Sequence, residues 1–221
     1  MPIAESAGPA AAAPATALAE LERAEAAISG PALALEYREL LRGNPRVMHR
    51  DGGPRHLTAS AIVIDRPGDH VALVWHRKGR FWVQPGGHLE AGETSFARAA
   101  RREVAEEIGI DALQQVGDGP AMLHRHALDA AFGTCGEHWD VQYLLRAPAP
   151  AAELPLTVSE ESAEVRWVPW PLRGAGPERE RDEAFRGFGE FARRHERLTL
   201  GHPRVAERQK AAQSPVAFAR L

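Results

Sequence analysis

Three glutamates lie close together in the segment R-R-E-V-A-E-E-I-G-I, which spans positions 101–110. They are Glu103, Glu106 and Glu107, and on a helix this spacing places all of them on one face. Like charges at this spacing repel each other and destabilise a helix, so their grouping favours a compensating positive charge. A hard divalent cation with oxygen ligands is the natural candidate. The spacing therefore indicates a metal-dependent enzyme of phosphate chemistry.

The segment that carries the glutamates has the pattern of a capped helix. Thr94 or Ser95 is a natural N-cap, and Gly109 is placed as a C-terminal stop. We therefore predict a helix from Ser95 to about Ile108. Its apolar residues recur at helical spacing and are expected to face the core: Phe96, Ala99, Ala100, Val104 and Ile108.

Two glycines, Gly86 and Gly87, precede this helix and are expected to form a turn. A Gly-Gly turn permits positive φ and lets a backbone carbonyl approach a metal or a phosphate with no Cβ in the way. The glutamates are expected to face this pair. The alternative is an ordinary solvated helix face, on which Arg98, Arg101 and Arg102 balance the acidic charges.

The order of these features resembles the Nudix box, whose pattern is G-x5-E-x7-R-E-U-x-E-E-x-G-U with U an apolar residue. The residues that match are Gly87, Glu93, Arg102, Glu103, Val104, Glu106, Glu107, Gly109 and Ile110. In one respect the chain departs from the pattern, because eight residues rather than seven separate Glu93 from Arg102. We expect the extra residue in the loop or in the first helical turn. The resemblance covers about residues 56–172.

This resemblance implies a fold, a reaction and a cofactor. The fold would be an α/β/α sandwich with a mixed sheet. The reaction would be hydrolysis of a nucleoside diphosphate linked to another moiety, in which water attacks phosphorus with Mg²⁺ or Mn²⁺ bound. Carried over by position, the metal ligands would be Glu103, Glu107, Glu106 and the carbonyl of Gly87.

The same resemblance implies roles in catalysis. Arg102 would orient a glutamate through charge-assisted hydrogen bonds, and Glu103, Arg102 and Glu106 form the implied catalytic set. Members of the family differ in their general base. Either Glu103 or a glutamate from a later loop would serve, and the later candidates are Glu160, Glu161 and Glu164.

Basic residues near the Gly pair are candidates for contacting the substrate. Arg77 and Arg80 belong to a small basic turn, and His88 lies inside the box, so these are the predicted substrate-binding residues. Simple solvation is the competing interpretation for each. Among the ten histidines only His124 and His126 show close ligand spacing, and packing or solvation is favoured over zinc binding there.

Signatures of several Nudix subfamilies are absent. The chain lacks the motifs expected of coenzyme A, ADP-ribose, diadenosine polyphosphate and NADH hydrolases. The substrate is therefore predicted only as a small nucleotide or other diphosphate. A nucleotide-sensing Nudix domain without catalysis is the alternative function, although such proteins usually lose box glutamates and this chain keeps all three. A prenyl diphosphate isomerase needs a well-placed cysteine, for which Cys135 is a poor candidate.

Composition narrows the classes further. The chain has 27 Lys and Arg against 30 Asp and Glu, a net charge of −3, which disfavours bulk nucleic acid as a partner. A single cysteine excludes an internal disulfide, fits a reducing compartment and cannot alone build a thiolate metal site. No apolar run is long enough for a membrane helix, and the N-terminus lacks a signal-peptide pattern. We therefore expect a cytoplasmic protein without a membrane partner.

The chain divides by pattern into four segments. Residues 1–16 form an Ala/Pro-rich leader that we expect to be disordered, and residues 17–55 form a helical extension broken at Gly30-Pro31. From the resemblance we expect a Nudix hydrolase domain at residues 56–172, and from the pattern a C-terminal helical segment and tail at residues 173–221. The two terminal helical segments are natural candidates for the contact of a homodimer.

Overall fold

The computed structural model describes residues 13–27, 29–77, 80–128, 133–159 and 162–169. Two long strands pair in parallel at the centre of its mixed sheet. The helices are α1 (Ala15–Arg23), α2 (Gly30–Gly43) and α3 (Phe96–Ile108). The strands are β1 (Arg55–Ile64), β2 (His70–His76), β3 (Phe81–Val83), β4 (Gly86–His88), β5 (Gln114–Gln115), β6 (Met122–Ala127), β7 (Glu137–Arg146) and β8 (Ser162–Pro169).

Strand β1 connects the two halves of the sheet. The main path of hydrogen-bonded neighbours is β3-β2-β1-β7-β5, while β4 pairs with β1, β6 with β7 and β8 with β2. The β1–β7 pair is parallel, and the other named pairs are antiparallel. This mixed α/β architecture confirms the predicted fold class. The predicted C-terminal helix at residues 173–221 lies outside the described residues.

The sheet has one strongly apolar face because side chains alternate along its strands. Alternate residues of β1 and β7 belong to the main core: Leu57, Ala59, Ala61, Val63, Trp139, Val141, Tyr143 and Leu145. The residues between them in β1 include Thr58 and Ser60, which are buried and polar. The opposite face of the central strands is therefore partly polar inside the protein.

Helix α3 packs its apolar stripe on this core, and the predicted helix is confirmed. Its five predicted core residues are all fully buried. The Ser95 hydroxyl oxygen accepts a hydrogen bond from the backbone amide of Arg98 at 3.2 Å, as an N-cap does. Gly109 ends the helix in the left-handed conformation, with φ of +75°.

The N-terminal helices join the same core. Leu21 of α1 and both Tyr37 and Leu41 of α2 are fully buried within the main cluster. The helical pair predicted for this region is present, with its break before Gly30. The division into extension and domain at residue 56 stays a prediction. No helix in the described part of the chain has the length and apolar character needed to cross a membrane.

Candidate active site

Two of the box glutamates lie against the Gly pair. The backbone amide of Gly86 donates a hydrogen bond to Glu107 Oε2 at 2.9 Å. A Cβ built on Gly87 would stand only 2.8 Å from Glu103 Oε1 and 2.9 Å from Glu103 Oε2. Two carboxylates and the backbone of β4 therefore come together, as predicted from helical spacing.

The expected turn at the Gly pair is wrong. Gly86 and Gly87 form strand β4, and neither is among the residues with positive φ. Glycine is needed there for space, because a Cβ on Gly86 would lie 2.3 Å from the Cβ of Ser60. The short Gly-Gly-His strand escapes detection in the sequence because glycine is depleted in strands.

Arg102 organises the acidic groups around it. Its Nε and one terminal nitrogen donate to the two oxygens of Glu93 at 3.1 and 2.9 Å. The other terminal nitrogen donates to Glu103 Oε1 at 3.0 Å and to Glu106 Oε2 at 2.8 Å. The carbonyl of His88 also accepts from Arg102, at 3.0 Å. The extra residue in the box therefore leaves the Glu93–Arg102 contact intact.

This arrangement holds both partners in their charged forms. Hydrogen bonding to Glu93 is the main reason that the pKa of Arg102 is raised, although burial opposes it. Burial alone would raise the pKa of Glu93, but hydrogen bonds from Arg102 and from the Glu90 amide outweigh it and lower that pKa. Glu93 is thus an anion that fixes the guanidinium in a bidentate geometry.

The other predicted residues lie on different elements from the glutamates. Arg77 and Arg80 are exposed in the turn between β2 and β3, where Arg77 donates to the carbonyl of Ser162 at 2.8 Å. Their contact with substrate stays a prediction. Glu164 is exposed on β8, whereas positions 160 and 161 lie outside the described residues.

A buried polar network lies on the sheet beside the Gly pair. Asp140 accepts hydrogen bonds from Thr58 at 2.9 Å, Ser60 at 2.5 Å and Gln142 at 2.8 Å. Ser60 is the register partner of Gly86, which connects the network to β4. The sequence contained one signal of this network, since polar residues alternate with apolar ones in both β1 and β7.

Next to that network lies a group that we call the histidine–cysteine cluster, defined as His56, His88, Cys135 and His138. One ligand atom from each lies within 4.8 Å of those of the others. Burial, with repulsion from His56, lowers the pKa of His88 to about 4. Burial, with repulsion from His88, lowers the pKa of His138 to about 3. Both imidazoles are therefore neutral near pH 7.

This cluster corrects the sequence-based view of the histidines. Close spacing along the chain singled out His124 and His126, but the described group with metal-ligand geometry excludes both. Their rings stack on each other with centroids 5.3 Å apart. Cys135 was set aside because one thiolate cannot build a site alone, yet the fold supplies imidazole partners.

Three kinds of comparison with known proteins show what the chain is similar to. Phosphatase NudJ of Escherichia coli K12 is 44% identical over 62 residues, which cover 23% of this chain and 40% of NudJ. The chain thus spans well under half the length of this curated relative. A NUDIX-family hydrolase from Clostridium perfringens is 20% identical with a TM-score of 0.43, covering 52% of this chain and 81% of that one.

A third similar protein is a C. elegans Ap4A hydrolase in a binary complex, 18% identical with a TM-score of 0.48. The match covers 66% of this chain and 98% of the Ap4A hydrolase chain. A family model described as NUDIX domain matches residues 54–184. Since this match takes in more than half of the 221 residues and includes the whole box, the chain belongs to the Nudix family.

Proposed function

We propose that the protein is a divalent-metal-dependent hydrolase that cleaves the pyrophosphate bond of a nucleoside diphosphate linked to another moiety. One observation carries the proposal. Glu103 and Glu107 lie against the Gly86–Gly87 backbone, and Arg102 ties Glu103 to Glu93 and Glu106. A charged group of this kind is costly to assemble unless it holds a cation and a polyphosphate.

The donor set at this place fits a hard cation. Glu103, Glu107, Glu106 and the carbonyl of Gly87 offer oxygen atoms, which are the ligands that Mg²⁺ and Mn²⁺ prefer. When bound, such a cation neutralises phosphate oxygens and lowers the pKa of a bound water. We therefore assign Mg²⁺ or Mn²⁺ as the cofactor.

The chain's own residues have separable roles in this proposal. Arg102 holds the carboxylates in position, and the side chain of Glu103 is only 13% exposed beside Gly87. A carboxylate so enclosed is well placed to take a proton from an attacking water, and we propose Glu103 as the general base. Glu106, whose side chain is 55% exposed, completes the set at its solvent side.

Substrate contacts are proposed from charge and position. His88 directly follows Gly87 in strand β4. Arg77 and Arg80 supply positive charge at the turn before β3. Small nucleotides and other diphosphates are the substrate class that such residues would recognise. The relative NudJ is named a phosphatase, which is consistent with phosphate ester or anhydride chemistry.

The decisive experiment combines a substrate screen with one variant. Nucleoside triphosphates, nucleotide sugars, dinucleotides and coenzyme A are incubated with Mg²⁺ or Mn²⁺, and the products are identified. Glu107→Gln keeps the size of the side chain but removes its charge, so we expect kcat to fall about 10²-fold or more. The matched control is Glu153→Gln, at an exposed position of the turn at Ala151–Glu153, which should retain full activity.

Two results would argue against the proposal. Near wild-type turnover by Glu107→Gln, with an unchanged fold, would remove the metal assignment. Tight binding of a nucleotide with no product from any compound would favour the sensing function instead. Binding with and without Mg²⁺, followed beside product release, separates these cases.

A further inference from the structure

His88 is the one residue that the histidine–cysteine cluster shares with the proposed hydrolysis, in which His56, Cys135 and His138 are given no part. Its four residues come from three strands and one loop: His56 from β1, His88 from β4, His138 from β7, and Cys135 from the segment before β7. The chain distances between them are large, so only the fold brings them together. The grouping of three imidazoles and a buried thiol at one place in the fold therefore requires a separate explanation.

A hydrogen bond to the backbone fixes the tautomer of one histidine in the cluster. His56 Nδ1 lies 3.0 Å from the carbonyl oxygen of Gly53, which can only accept, so this nitrogen carries the hydrogen. In that tautomer His56 Nε2 carries a lone pair, which accepts a hydrogen bond from His88 Nε2 at 2.9 Å. A bound ion would take the place of that hydrogen between the two rings. A carbonyl that fixes the tautomer in this way is the usual outer partner of a metal-ligating histidine.

One nitrogen of the cluster has no partner at all among the described residues. His138 Nε2 is a buried atom for which no hydrogen bond is found there. Leaving a buried polar atom unsatisfied costs about 1–3 kcal/mol, which native structures usually avoid. An ion at the centre of the cluster would satisfy this nitrogen and accept the lone pair of His56.

The thiol is held close to the imidazoles. Cys135 is 4% exposed, and its Sγ lies 3.9 Å from His88 Nε2. The next two backbone amides, of Gly136 and Glu137, both donate to the carbonyl of Pro54, at 2.7 and 2.9 Å. The segment that fixes His56 through Gly53 therefore also fixes the backbone beside Cys135.

The strands place the histidines rigidly. His56 and His138 are direct register partners in the parallel β1–β7 pair, and their ring centroids lie 4.9 Å apart. His88 is paired with Thr58, two residues along β1 from His56, so both point to the same face. The ring of His88 lies 4.9 Å from that of His138.

The donor set selects the type of ion. Three imidazole nitrogens and one thiolate sulfur suit Zn²⁺ in tetrahedral coordination, whereas Mg²⁺ and Ca²⁺ take oxygen ligands. Ligands at 2.0–2.3 Å from a tetrahedral ion lie roughly 3.3–3.8 Å apart. The cluster spans up to 4.8 Å between ligand atoms, so modest side-chain rotations bring it to that geometry.

We infer that the histidine–cysteine cluster is a closed, four-ligand site for a transition-metal ion of the Zn²⁺ class, separate from the glutamate site. Four protein ligands leave no open position, so the site is structural rather than catalytic. The position of this metal site indicates its structural role. His88 follows Gly87, and its carbonyl accepts from Arg102 at 3.0 Å, so the ion anchors this end of the box to β1 and β7.

The test begins with the full-length wild-type chain, stripped of metal by a chelator and titrated with Co²⁺. We expect the strong visible bands of tetrahedral cobalt and a thiolate-to-cobalt charge-transfer band. About one equivalent of Zn²⁺ per chain should abolish them, whereas excess Mg²⁺ should not. A weak octahedral spectrum without a thiolate band would overturn the inference, and this readout needs no variant.

Three variants locate the ion. Cys135→Ser should lose the charge-transfer band, and His124→Gln, a histidine outside the cluster, should keep it. Glu107→Gln should also keep it, which separates this site from the glutamate site. Zn²⁺ should raise the melting temperature of the wild type and of the two control variants, but not of Cys135→Ser.

The opposite pattern refutes the site. A cobalt band that survives in Cys135→Ser, or one that disappears in Glu107→Gln, would show that the ion binds elsewhere. If Cys135→Ser does not fold, His138→Asn takes its place in the melting experiment, where Zn²⁺ should no longer raise the melting temperature because the unpartnered nitrogen is gone. The cobalt and melting readouts do not depend on turnover, so failure of the proposed hydrolysis would not refute this site, and failure of this site would not refute the proposed hydrolysis.

Discussion

The carboxylate of Glu20 lies at the start of helix α3, where its Oε2 accepts a hydrogen bond from the backbone amide of Phe96 at 2.7 Å. Ser95 and Tyr143 also donate to this carboxylate, at 2.6 and 3.1 Å. A negative charge at a helix N-terminus is stabilised by the helix dipole and by free amides. Helix α1 therefore caps the helix that carries the box glutamates.

Glu20→Ala should destabilise the protein by about 1–3 kcal/mol, because several buried donors lose their acceptor at once. Urea unfolding measures the change. The matched control is Glu22→Ala on the same helix, whose carboxylate is 58% exposed and pairs with Arg42 only at 3.9 Å. Its effect should stay within about 0.5 kcal/mol. Equal losses in the two variants would show that α1 does not cap α3.

Arg102→Lys should reduce kcat/KM about 10- to 100-fold while the protein stays folded. Lysine lacks the planar guanidinium group that donates hydrogen bonds to both Glu93 and Glu103. The measurement is steady-state turnover on the substrate found in the screen. Arg98→Lys is the control, since Arg98 is exposed on the same helix and keeps its charge. Comparable activities of the two variants would contradict the organising role of Arg102.

Asp140→Asn should lower the free energy of unfolding by about 1–3 kcal/mol. The new amide group would place its own donors against the Ser60 hydroxyl and the Gln142 amide, which already donate to Asp140. Asp69→Asn, at an exposed position, serves as the control in the same thermal or urea unfolding experiment. A stability equal to that of the control would mean that water replaces the network.

The parts of the protein that sequence predicted well are local in the chain. The box lies within 24 consecutive positions, and Ser95, the apolar stripe and Gly109 together define the limits of α3. Helical periodicity carries enough information there to place Glu103 and Glu107 beside the Gly pair.

The parts that escaped prediction depend on strand register. His56 and His138 are 82 positions apart, and nothing in their local spacing tells that β1 and β7 pair in parallel with these two residues opposite each other. The contact of Glu20 with Ser95 spans 75 positions, and local spacing likewise gives no sign of it. Only tertiary packing creates these groups, so a single sequence gives no direct signal of them.

The two glycines of β4 should respond differently to the same substitution. At Gly86 an added Cβ would meet Ser60 Cβ at 2.3 Å and the carbonyl oxygen of Ala59 at 2.8 Å, which are fixed parts of β1. At Gly87 the three nearest atoms would all belong to the carboxylate of Glu103, the far end of a flexible side chain. Gly86→Ala should therefore lower the free energy of unfolding by about 1–3 kcal/mol or more, because β1 and β4 must separate. Gly87→Ala should cost less stability but reduce turnover about 10-fold or more, because Glu103 is displaced from its place beside the backbone.

Unfolding and steady-state assays on the Gly86→Ala and Gly87→Ala variants check this difference. If Gly87→Ala retains full turnover, the position of Glu103 against β4 is not needed for the reaction.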